Sequence, residues 1–140
     1  NGSINPPSSL DPFISEELKV AMRGETDSEK YFYAIVSEIN KGNLIDGTLK
    51  TVRKIKQKLD YSSINAMILT RDKYLVISEH KVDRIPKGEG LEYYDLYYRK
   101  DSKGVLVSST GWNQNGWSLI PNHSLAIIDR KKLTIDIKEI

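Results

Sequence analysis

The 140 residues carry 21 basic and 19 acidic side chains, so no overall field draws the chain to nucleic acid or an anionic membrane. At 39% hydrophobic and 29% charged it has the composition of one globular domain with a real core, and the absence of cysteine excludes a disulfide scaffold, a thiolate zinc site and a cysteine nucleophile within these residues. No apolar run approaches the roughly 20 residues that span a bilayer and no charged stretch leads into an apolar leader, so a soluble, cytoplasmic protein is expected, with no membrane or nucleic-acid partner.

Residues 1 to 12 are rich in turn formers and hold three of the five prolines, which predicts a loop. Residues 13 to 23 read as a short helix with Ile14, Leu18, Ala21 and Met22 on one face, ended by Gly24. The stretch Gly24-Glu25-Thr26-Asp27-Ser28-Glu29 opens the next helix, with Thr26 as N-cap and Glu29 three residues on in a reciprocal capping box. Phe32, Ile35, Val36 and Ile39 then form an apolar stripe at helical spacing, and Gly42 marks the stop. A third helix is expected from about Thr48, with Leu49, Val52, Ile55 and Leu59 inward and Lys50, Arg53, Lys54, Lys56 and Lys58 on a solvated outer face.

From Ser63 the hydrophobic period becomes two. Residues 63 to 70 and 73 to 79 form one hairpin, 93 to 100 and 104 to 109 a second, and 124 to 129 and 133 to 138 a third. Three hairpins after three helices indicate an α+β architecture with antiparallel sheet. His80 and His123 have no metal-ligand pattern around them and read as surface or strand-end residues, so neither a metal nor a cofactor is expected.

Taken singly, Asn1-Gly2 is a turn dipeptide and Thr26-Asp27-Ser28-Glu29 a helix cap. Taken in order with Leu96-Tyr97-Tyr98-Arg99, Trp117-x-x-Ile120-Pro121 and the run from Ser124 to Asp129, the pattern resembles the class II glutamine amidotransferase domain. Within that family it is similar to the stand-alone branch related to the ergothioneine-pathway amidohydrolase. The resemblance implies an N-terminal-nucleophile hydrolase fold, an αββα sandwich of antiparallel sheets with flanking helices. Residues 1–140 would be the C-terminal portion of a single such domain, its N-terminal part missing.

The family mechanism uses an N-terminal cysteine, activated by its own α-amine, to attack the side-chain amide of glutamine through an oxyanion and a thioester. By this resemblance Asn1 (side chain) and Gly2 (backbone N–H) would stabilise the oxyanion, and Asp27, held by the Thr26 cap, would accept the α-ammonium of glutamine or a γ-glutamyl substrate. The chain departs from the family in lacking the cysteine, the carboxylate-binding arginine and a histidine before Asn1, which implies a missing N-terminal segment or companion chain carrying Cys and Arg. Relatives also tend to have Ser-Glu where this chain has Ser108-Ser109-Thr110. The alternatives are a degenerate, non-catalytic relative serving as an interaction or regulatory module, and an unrelated α+β binding domain.

Overall fold

A computed structural model describes residues 2–111 and 113–140. The chain is α+β and divides into a helical unit, Ser3–Tyr61, and a sheet unit, Ser62–Ile140 together with Gly2.

The helical unit opens with a two-residue strand, β1 (Ile4–Asn5), which pairs antiparallel with β2 (Asp60–Tyr61), so part of the expected N-terminal loop is a strand. A 3₁₀ segment, Pro7–Phe13, follows, and the expected helix over residues 13 to 23 shrinks to α1, Glu16–Lys19. Prolines explain the displacement: Pro7 fits a first helical turn and Pro12 donates no N–H, so the chain winds in a short 3₁₀ run that buries Leu10 completely.

The helix α2 (Asp27–Ile39) begins where the cap places it. Its buried face differs from the apolar stripe, because Phe32 is 56% exposed while Tyr31, Ala34, Ile35, Ser37 and Glu38 are buried. Ser37 is tolerated inside because its hydroxyl donates to Tyr33 O at 2.8 Å and accepts from Ser15 N at 2.9 Å. The next helix, α3 (Leu44–Lys58), starts earlier than Thr48 because the Asn43 side chain caps it, accepting from Asp46 N at 2.9 Å. Gly47 lies in its first turns, where a Cβ would come within 2.7 Å of the Ile39 backbone, so glycine is what lets α3 approach the end of α2. Leu49, Val52 and Ile55 point inward as their spacing predicts.

Three lysines of this unit are not simply solvated. Lys50, Lys54 and Lys41 converge on the buried Glu38 carboxylate at 2.7, 2.8 and 3.2 Å. The bonds from Lys50 and Lys54 hold its pKa down at about 2 against the opposing effect of burial.

The sheet unit contains the three hairpins. β3 (Ala66–Leu69), β4 (Lys73–Ser78), β8 (Ser124–Asp129) and β9 (Ile135–Glu139) form one antiparallel sheet in that order. β5 (Leu96–Lys100) is central in a second sheet, between β6 (Val105–Ser109) and β7 (Ser118–Ile120), the last a strand outside the three expected hairpins. One apolar cluster joins Val76, Ala126 and Ile128 of the first sheet to Leu96 and Ile120 of the second. On the alternate face of β4 and β8, Leu75, Ile77, Leu125 and Ile127 are buried too. These two strands therefore read as continuous apolar runs, and the period of two does not hold there. No helix among the described residues is long and apolar enough to cross a membrane.

Candidate functional site

Thr26 and Asp27 come together at the N-terminus of α2. Thr26 has extended backbone (φ −74°, ψ 148°), and its hydroxyl accepts the N–H of Glu29 at 3.3 Å. The other half of the capping box does not form, because Glu29 turns its carboxylate to the N–H groups of Arg23 (2.8 Å) and Gly24 (2.7 Å). Two consecutive amide dipoles hold the carboxylate there, so Glu29 clasps the approach to the helix.

Asp27 is half-buried in the first turn of α2, where the helix dipole favours an anion. Its Oδ1 accepts the N–H of Ser28 at 2.8 Å and its Oδ2 the N–H of Ile4 at 2.9 Å. Close by, the buried Lys30 binds Asp11 at 2.8 Å and Glu25 at 3.2 Å, and the bond to Asp11 raises the pKa of its ammonium group despite burial.

Gly2 belongs to the sheet unit, and Asn1 lies outside the described residues. The Gly2 backbone lies directly against Ser63: a Cβ at position 2 would collide with the Ser63 carbonyl oxygen and stand 2.6 Å from its Cβ. Only glycine permits that approach. Ser63 pairs in turn with His80 across an isolated bridge, flanked by bonds from Ile64 N to Glu79 O and from Lys81 N to Ser62 O, each 2.9 Å.

The strand end at Glu79 and His80 is held by two side-chain amides. Asn122 accepts the N–H of His80 at 2.9 Å and donates to its carbonyl at 3.0 Å, completing the ladder where β8 has not yet begun. Asn65 accepts the N–H of Glu79 at 2.8 Å and donates to Tyr94 O at 2.6 Å. The fully buried Glu79 carboxylate meets Nδ1 of His123 at 3.0 and 3.1 Å, and His123 adopts left-handed backbone with φ 63°. Burial lowers the pKa of His80, offset in part by Asp95, 4.0 Å from its Nε2, and its Nδ1 has no hydrogen-bond partner among the described residues.

Both histidines thus lie at strand ends, but sequence reading missed the acid that engages His123 and the two asparagines. The available signals were an acid closing an apolar strand, Ser78-Glu79-His80, and Asn122-His123 just after Pro121. Among the described residues no group of three or more His, Asp or Glu side chains could hold a metal ion. In the helical unit the start of α2 supplies a carboxylate at a positive helix end, suited to an ammonium group.

The mixed helix and antiparallel-sheet fold resembles that of a class II glutamine amidotransferase domain. The chain is similar in structure to a glutamine aminotransferase class-II domain protein from Silicibacter pomeroyi, with a TM-score of 0.72 and 14% sequence identity over all of this chain and 65% of that one. At that identity the likeness is one of fold, and the chain spans less than two thirds of the length of that protein. No protein-family model and no curated protein matches the sequence.

Proposed function

We propose that the chain is the C-terminal portion of a glutamine-hydrolysing domain of the N-terminal-nucleophile type, acting on the side-chain amide of glutamine or of a γ-glutamyl compound. The observation that carries this reading is the fold likeness across the whole chain to a class II glutamine aminotransferase domain protein. The nucleophilic cysteine and the arginine for the substrate carboxylate would come from outside these 140 residues, in a preceding segment or a companion chain.

Asp27 receives the α-ammonium of the substrate in a charge-assisted bond, favoured by its place at the start of α2. Asn1 and Gly2 stabilise the oxyanion formed when the thiolate attacks the amide carbon. Collapse of that intermediate expels ammonia and leaves a thioester, which water hydrolyses to glutamate. Loss of one oxyanion donor typically removes roughly 3 kcal/mol of transition-state stabilisation, so Asn1→Ala is expected to lower turnover about a hundredfold.

The test is ammonia release from glutamine by the full-length polypeptide, with and without a cysteine-directed glutamine analogue. Release abolished by the analogue supports the reading, and no release overturns it. The second reading, a non-catalytic interaction or regulatory module, would be suited by a full-length polypeptide that is itself free of cysteine, and the absence of release would support it.

A further inference from the structure

Asp27 is bonded before any substrate arrives. Its Oδ2 takes the backbone N–H of Ile4 from 23 positions away in the sequence. Ile4 is 3% exposed and pairs with Tyr61 in the β1–β2 ribbon. Without Asp27 this amide would lose its acceptor, and a buried, unsatisfied donor costs about 1–3 kcal/mol. A carboxylate offers about four acceptor positions. Ser28 N–H occupies one on Oδ1, with the Ser28 hydroxyl 3.5 Å from the same oxygen, and Ile4 occupies one on Oδ2. Among the described residues a position on Oδ2 is left for an ammonium.

Ile4 follows Gly2 by two residues. We propose that Asp27, besides receiving the substrate ammonium, is a positioning residue for the segment that carries Gly2: by holding the Ile4 amide it fixes the backbone leading back to the oxyanion donor. The inference rests on the glutaminase reading above and adds a consequence to it. An ammonium anchor acts on substrate binding alone, whereas a carboxylate that also holds the donor segment acts on the chemical step.

Asp27→Asn and Asp27→Ala separate the two roles, because asparagine keeps an acceptor oxygen for Ile4 but no charge for an ammonium. In the full-length polypeptide Asp27→Asn is expected to raise KM for glutamine about tenfold and leave kcat within about threefold, whereas Asp27→Ala raises KM similarly and lowers kcat about tenfold or more. Amide hydrogen exchange at Ile4 provides a readout that needs no activity: about tenfold faster in Asp27→Ala, unchanged in Asp27→Asn. Equal kcat in the two variants, or slow Ile4 exchange in Asp27→Ala, overturns the proposal. A parent polypeptide that releases no ammonia overturns the glutaminase reading and the role in turnover with it, while the exchange comparison still decides whether Asp27 holds the segment.

Discussion

The helical unit and the sheet unit surround their buried ionisable residues by different means. In the helical unit charge meets charge: Glu38 takes three lysines, and Lys30 takes Asp11 and Glu25. In the sheet unit, neutral amides stand in for missing strand partners, as Asn122 does for His80 and Asn65 for Glu79, around an apolar cluster shared by two sheets. Its buried acid, Glu79, meets an imidazole rather than an ammonium. Charge networks weaken with salt and acid, whereas amide pairs and apolar packing are not weakened by ionic screening. The two units should therefore respond differently to the same perturbation.

The largest effect is expected from Leu125→Ala, which empties a fully buried site on β8 and should cost the sheet unit about 3 kcal/mol, read from the denaturant midpoint. Asn122→Ala comes next. It strips partners from the N–H and C=O of His80 and should cost about 2 kcal/mol with little dependence on salt; a loss that vanished in concentrated salt would contradict the amide account.

Glu38→Gln should cost about 1–2 kcal/mol near neutral pH, a figure reduced for the partial exposure of the lysines, and less in concentrated salt. The sign follows from a carboxyl held at about 2 against an ordinary 4.5: its stabilisation is complete above about 4.5 and is lost as pH falls from there towards 2. His80 adds the contrast. Burial disfavours its charged form in the fold, where Asp95, Glu79 and His123 are the titratable groups around it, so its contribution is complete above its ordinary 6.5 and is lost as pH falls below that value. Residue-resolved hydrogen exchange during an acid titration should show the sheet unit loosening near His80 before the helical unit loosens near Glu38. The smallest effect is that of Thr26→Ala, about 1 kcal/mol from loss of the cap, visible as fraying of the first turn of α2.

The start of α2 was legible because a cap is a local device: Thr26 and Glu29 mark it within four residues. Its buried face was not, since a periodicity of apolar residues counts Ser37 and Glu38 as outward, and their partners Ser15, Lys50 and Lys54 are distant in sequence. The hairpins were legible from β-rich runs between turns, but the two-residue ribbon of β1 and β2 carries no pattern and exists through pairing across most of the helical unit. Of the candidate site, Thr26 and Asp27 stood out by position, and Gly2 only through a resemblance. That Glu29 serves Arg23 and Gly24 rather than closing the box, and that Asp27 holds Ile4, depends on where the chain returns in space.

The convergence of three lysines on Glu38 makes its members unequal under mutation. Any one of Lys41, Lys50 and Lys54 can be replaced and the carboxylate still has two cations beside it, while replacing Glu38 leaves three like charges crowded together. The network is redundant in its cations and dependent on its single anion. Sequence drift should therefore be free at each lysine in turn and restricted at position 38, and an acetyl group on one of these lysines should be absorbed without loss of fold.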